Sequence, residues 1–113
     1  MFTSLSKQKD FEQVAKKGNS FFTKEFGFKI IKNNFKKNRY GIVVSLKVDK
    51  KAVVRNKIRR QIREIIRLNN KNIKQGFDIM ILTRSLIKDL KYKEIEEKLL
   101  NLFKKANLYL LRN

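Results

Sequence analysis

The chain has no cysteine, no histidine, no proline and no tryptophan, and only four glycines among 113 residues. Without cysteine there is no disulfide, no thiolate nucleophile and no cysteine-ligated zinc, which fits a reducing compartment. Without histidine there is no Ser-His-Asp triad, no histidine-ligated metal and no imidazole acid–base chemistry. No stretch approaches membrane-spanning length, and Met1 to Lys9 lacks the apolar core of a secretory signal, so a cytoplasmic protein with no membrane role is expected. Acid is scarce as well: 10 Asp and Glu stand against 29 Lys and Arg, a formal net charge of +19. Self-repulsion on that scale destabilises a compact state unless a partner offsets it, and nucleic acid is the usual partner. Solubility alone needs far less charge. At 42% hydrophobic residues the chain still has material for a core, and 113 residues make one domain spanning 1–113.

An AT-rich genome would by itself enrich a chain in Lys, Asn and Ile, so the placement of arginine is more informative than the total charge. Arg55, Arg59, Arg63 and Arg67 recur every fourth residue, and Val54, Ile58, Ile62 and Ile66 recur beside them. Residues four apart share a helix face, so residues 51–68 are expected to form a rod with an apolar stripe bordered by guanidinium groups. Lys57 and Arg60 widen the cationic side, and Glu64 is the only acid among them. A helix selected only for solubility would mix signs to gain pairs of about 0.2–0.5 kcal/mol each. This one is expected to wait for an external polyanion.

Around that helix the pattern is α+β. Ser4 to Lys17 reads as a first helix, with Leu5, Phe11, Val14 and Ala15 at helical spacing and Gly18 as its C-cap. Phe21 to Lys32 alternates, with Phe26, Phe28 and Ile30 on one side and Gly27, Lys29 and Ile31 on the other. Asn33 to Asn38 reads as a polar turn, and Arg39 to Leu46 as a β-branched strand. After the arginine helix, Phe77 to Thr83 is apolar apart from Asp78 and reads as a buried strand. Leu90 to Asn107 places Ile95, Leu99, Leu102, Phe103 and Ala106 on one face of a closing helix. Gly27 and Gly41, inside strands, mark close backbone approach or a bulge. The acids Glu94, Glu96 and Glu97, among lysines, read as a solvated face.

Ala52-Val53-Val54-Arg55-Asn56-Lys57-Ile58-Arg59-Arg60-Gln61-Ile62-Arg63-Glu64 resembles the signature of the bacterial ribonuclease P protein subunit, roughly A-V-x-R-N-R-x-K-R-x-x-R-E. The resemblance extends to Asp10-Phe11 with Val14 and Gly18, to Arg39–Ser45, to Phe77–Ile81, and to Leu90–Tyr109, in matching order and spacing. It implies an αβββαβα two-layer sandwich: a four-stranded mixed sheet with a left-handed βαβ crossover, ribosomal protein S5 domain 2-like. Chain-connection rules alone give a right-handed crossover in about 98% of cases, so the hand is an expectation of the resemblance only.

The same resemblance implies a role. Such a protein joins a catalytic RNA and assists removal of the 5′ leader from precursor tRNA. The RNA carries the chemistry through bound Mg²⁺, and no protein partner is required. The implied contacts to the catalytic RNA are Arg55, Asn56, Lys57, Arg59, Arg60 and Arg63, with Lys47 and Lys51 from the preceding loop. Lys57 replaces an arginine of the signature, keeping the charge but losing the planar fork. Asn56 suits either an RNA contact or a helix-start hydrogen bond. A cleft for the single-stranded leader is implied at Phe11, Ala15 and Lys29. Phe11 reads equally as stacking platform or core, since an aromatic face stacks on unpaired bases at roughly 1–3 kcal/mol. Ala15 and Lys29 stand where relatives carry aromatics, so this cleft is expected to grip more by charge. Lys91, in place of a Ser or Thr cap, is expected to leave the last helix frayed at its start. The alternatives are a small basic ribosomal or other structural RNA-binding protein and, third, a DNA reader, which the alternating strands disfavour.

Overall fold

The computed structural model describes residues 2–110. In chain order it has α1 (Gln8–Lys17), β1 (Asn19–Phe22), β2 (Phe26–Lys32), β3 (Arg39–Val43), α2 (Ala52–Asn69), β4 (Phe77–Thr83) and α3 (Tyr92–Lys105). Short 3-10 turns at Asn70–Asn72 and Ser85–Asp89 flank β4. The expected αβββαβα order is therefore present.

The strands form one mixed sheet in the order β1-β2-β4-β3. β1 and β2, and β2 and β4, pair antiparallel, whereas β3 and β4 run parallel and are joined through α2. Strand alternation sorts the side chains. Phe28 opposite Ile81, Ile30 opposite Ile79, and Tyr40 beside Ile79 face the main core. Onto that face α2 sends Ile58, Ile62, Ile65 and Ile66, and α3 sends Ile95, Leu99, Leu102 and Phe103, all buried. Phe103 meets Phe28 edge-on, with ring centroids 4.8 Å apart. Burying a side chain of this size contributes about 1.5–3 kcal/mol, so this layer supplies most of the hydrophobic stabilisation. Across the sheet, α1 covers a smaller cluster of Leu5, Val14 and Met80, with Phe11, Ile31 and Leu82 at its margin.

Several element ends differ from expectation for local reasons. Helix α1 begins at Gln8, not Ser4. The chain before it is extended along β3: Leu5 N–H donates to the Tyr40 carbonyl at 2.8 Å, and Tyr40 N–H to the Thr3 carbonyl at 2.8 Å. Leu5 is thus buried from a strap, and Ala15 is exposed on the helix. Gly18 is not a left-handed cap, since its φ of −74° suits any residue. A Cβ there would lie 2.5 Å from the Val14 carbonyl oxygen, so packing demands the glycine. The stretch 21–32 is two strands, because Thr23 N–H bonds the Phe26 carbonyl at 2.8 Å while Phe26 N–H bonds Thr23 Oγ1 at 3.1 Å. That side-chain bond closes a turn with no Gly, Pro or Asn to announce it.

The third strand ends at Val43, earlier than Leu46. The start of α3 is held, not frayed: the Glu94 carboxylate accepts the Lys91 N–H at 2.9 Å, half of a capping box. At the other end Asn107 turns left-handed at φ 59°, and Leu108 N–H reaches the Phe103 carbonyl at 2.9 Å. This Schellman closure fits asparagine, which tolerates that region better than most residues.

Candidate nucleic-acid interface

Two surfaces carry the residues singled out in the sequence. One is the outer side of α2. Its apolar stripe is buried as expected, with Ile65 joining it and Val54 only partly covered. Lys57, Arg60, Arg63 and Arg67 are exposed, whereas Arg55 and Arg59 are half-buried.

The cationic residues have different local roles. The Arg55 guanidinium donates to the Asp49 carbonyl at 3.1 Å and the Lys50 carbonyl at 2.8 Å, closing the loop onto the helix start. Asp49 Oδ1 tightens that loop by accepting the Lys51 N–H at 2.8 Å. Asn56 lies inside the helix and makes no helix-start bond; its Oδ1 accepts from the Arg59 Nη2. It therefore aims Arg59. Arg63 sits over the Phe2 ring, 5.2 Å from its centroid, and Phe2 in turn stacks on Tyr40 at 5.2 Å. Arg67 pairs with Glu64 at 2.6 Å, so one arginine of the stripe is neutralised at home. That hydrogen bond lowers the Glu64 pKa and raises that of Arg67. Among the described residues Lys57, Arg60 and Arg63 have no acidic partner. Lys47, Lys50, Lys51 and Lys88 surround an open hollow of about 370 Å³ at the helix start, which brings both predicted loop lysines to the same end.

The other surface is the sheet face that α1 only partly covers. Gly27, Lys29 and Ile31 of β2 lie on it, opposite Leu82, Met80 and Asp78 of β4. Gly41 and Val43 of β3 continue it. Phe11 lies half-buried over Gly41: a Cβ on that glycine would come 2.4 Å from the ring. Phe11 is thus both packed against the Leu5 cluster and present at the surface. Lys29 Nζ donates to the Ala15 carbonyl at 3.3 Å, so the two substituted positions meet, with the ammonium on the negative end of α1. A hollow of about 170 Å³ runs from Phe11 and Gly41 past Phe2 to Arg59 and Arg63, connecting the sheet face with α2 around the β3 edge. Of the predicted residues, Phe11 of the leader set and Arg59 and Arg63 of the RNA set therefore share one hollow, while Ala15 and Lys29 lie outside it.

Sequence reading missed two features. Phe22, 51% exposed, stands on the open face with its ring 3.0 Å from where a Gly27 Cβ would be. Its pairing opposite Gly27 became visible only once β1 was separated from β2. The second is an ion-pair network. Asp78, 6% exposed, accepts from Arg39 Nε at 2.8 Å and Nη2 at 2.6 Å, and from Asn33 at 2.9 Å. Asp10 of α1 reaches Arg39 at 3.3 Å. The Asp78 hydrogen bond raises the Arg39 pKa against the opposing effect of burial. The cue was an acid within an otherwise apolar strand, set against an arginine opening its parallel neighbour.

The model of the ribonuclease P family matches residues 2–107. The chain belongs to the ribonuclease P protein family. Among curated members, the ribonuclease P protein component of Clostridium botulinum strain 657 is 42% identical over 106 residues, 93% of this chain and 95% of its own. That of Alkaliphilus oremlandii is 43% identical over 104 residues, covering 92% and 90%. Among solved structures, the RNase P protein of Staphylococcus aureus superposes with a TM-score of 0.88 at 32% identity, over 96% of this chain and 99% of that one. The Thermotoga maritima protein gives 0.83 at 37% identity, over 90% and 96%. The expected fold class thus holds across nearly the whole length. No helix among the described residues is long and apolar enough to cross a membrane.

Proposed function

We propose that this chain is the protein subunit of bacterial ribonuclease P, an endoribonuclease, and that it acts in the cytoplasm. It binds the catalytic RNA along the outer side of α2 and positions the 5′ leader of precursor tRNA on the open sheet face. The observation that carries the reading is the cationic side of α2, without an acidic partner at Lys57, Arg60 and Arg63 among the described residues, in a chain of this family. Arg59, aimed by Asn56, and Arg63, propped by Phe2, present donors at fixed angles, which favours forked contacts to phosphate. Arg55 contributes by shaping the loop that carries Lys47 and Lys51. On the open face Phe11 and Phe22 offer rings to unpaired bases, and Lys29 supplies charge. Mg²⁺ in this reading is held mainly by the RNA, which performs the hydrolysis; the protein supplies affinity and alignment.

The test is a double variant, Arg59→Ala with Arg63→Ala, whose side chains leave the buried isoleucines untouched. Affinity for ribonuclease P RNA is expected to fall and the slope of log K against log salt to flatten by about 0.7–0.9 per lost contact. An unchanged affinity and slope in a normally folded double variant contradicts the proposal.

A further inference from the structure

The segment read as a polar turn between β2 and β3 presents an aromatic ring to solvent. Phe35 is 56% exposed, although a ring of that size would ordinarily be covered in a domain with a core available. Its placement is fixed from below. The Arg39 guanidinium lies 4.5 Å from its centroid, and Arg39 is itself held by Asp78 and Asp10. The loop is fixed too. Asn33 Oδ1 accepts the Phe35 N–H at 2.9 Å, and Asn33 Nδ2 donates to the Lys37 carbonyl at 3.1 Å and to Asp78 at 2.9 Å. A ring held this way binds a flat partner with little further ordering cost.

Hollows on either side complete the surroundings. One, of about 390 Å³, is walled by the ring with Thr3, Lys36 and Lys37. The other, of about 280 Å³, brings in Lys9, Gln13, Lys32 and Asn34. None of these lysines is ion-paired among the described residues. The carboxylates present, Asp10 and Asp78, are turned onto Arg39.

From this geometry we propose that Phe35 is the floor of a separate site for one unpaired nucleotide of RNA. The base stacks on the ring face turned away from Arg39, and the flanking phosphates lie against Lys36 and Lys37. A paired base has both faces already stacked, so duplex is excluded. The site stands apart from the residues predicted for either RNA: Phe11, Ala15 and Lys29 of the cleft, and the arginines of α2. It rests on the RNA-binding reading above, but its test does not depend on the α2 arginines.

The chain has no tryptophan, so Phe35→Trp in the full-length protein creates a single reporter at the site. A short single-stranded oligoadenylate is expected to quench that fluorescence, with its abasic counterpart and an RNA duplex far less effective. Phe35→Ala and Phe35→Leu are expected to weaken oligoadenylate binding by roughly 5- to 150-fold, as loss of one stacked base does. Leucine keeps an apolar cover over Arg39, so a ring serving only to shield the ion pair would be replaced by it without loss.

In the reconstituted holoenzyme the alanine variant identifies the source. Weaker assembly with ribonuclease P RNA places one of its unpaired nucleotides here. Weaker binding of leader-bearing precursor tRNA, with mature tRNA unaffected, places a leader nucleotide here. Equal quenching by abasic and base-bearing strands, full binding by Phe35→Leu, or no loss in either holoenzyme arm overturns the site. A failed Arg59/Arg63 test with Phe35→Trp still quenched would overturn the α2 assignment and leave this site standing.

Discussion

Removing the Asp78 carboxylate, by Asp78→Ala, should destabilise the protein more than any surface charge change. Asp78 closes three hydrogen bonds, two to Arg39 and one to Asn33, between β4, the start of β3 and the loop before it. Truncation leaves Arg39 with Asp10 alone, at 3.3 Å, in a position where only 20% of its side chain meets water. Breaking a fully buried pair costs about 3–5 kcal/mol because the surviving charge is stranded. Partial exposure and the remaining Asp10 recover some of that, so about 2–3 kcal/mol is expected. With a urea slope of about 1.5–2 kcal/mol/M for a domain this size, the unfolding midpoint should fall by roughly 1–2 M. Equilibrium urea unfolding by circular dichroism reads this directly. Pairing Asp78→Ala with Arg39→Met should restore much of the loss, since no buried charge is then stranded. A midpoint within about 0.3 M of the parent, or no recovery in the double variant, would refute the network's role.

Tyr40 gives a pH prediction. Burial raises its pKa to about 12 against an opposing hydrogen bond from Asn38, so the neutral phenol is favoured in the fold. A raised folded pKa means the contribution is complete below pH 10 and lost as pH climbs through 12. Wild type should therefore lose about 2–3 kcal/mol relative to Tyr40→Phe across that window, measured as the difference between their urea midpoints; parallel curves would exclude it. For Phe11→Ala, binding of leader-bearing precursor tRNA should weaken by about 1–3 kcal/mol while mature tRNA is nearly unaffected. A thermal melt run alongside separates this from packing, which would lower the melting temperature and affect both tRNA species alike.

Much of this was legible in the residues because the two hydrophobic periods are clean. The alternation from Phe26 to Ile31 and the four-residue repeat from Val54 to Ile66 each assign faces without reference to the rest of the chain. The apolar run Phe77–Thr83 coincides with β4 to the residue. What escaped depends on contacts distant in sequence. Leu5 fits a helical spacing with Phe11 yet belongs to a strap, because β3 has a free edge that the N-terminal segment pairs with. Gly18 looks like a helix terminator, but its reason is the Val14 carbonyl. Phe35, a lone aromatic among Asn and Lys, has no period to assign it a face, and only the Arg39 beneath it explains its placement. The role of Arg55 likewise depended on where a loop carbonyl lies in space, which spacing does not specify.

Reconstitution with ribonuclease P RNA, followed by leader cleavage across a Mg²⁺ titration, shows whether the chain helps a catalytic RNA act on precursor tRNA. The protein is expected to move cleavage to lower Mg²⁺ and to raise kcat/KM for leader-bearing substrate, and Arg59→Ala with Arg63→Ala to reduce that gain. Binding of the RNA with no change in Mg²⁺ requirement or cleavage rate would contradict this role and leave a structural RNA-binding protein.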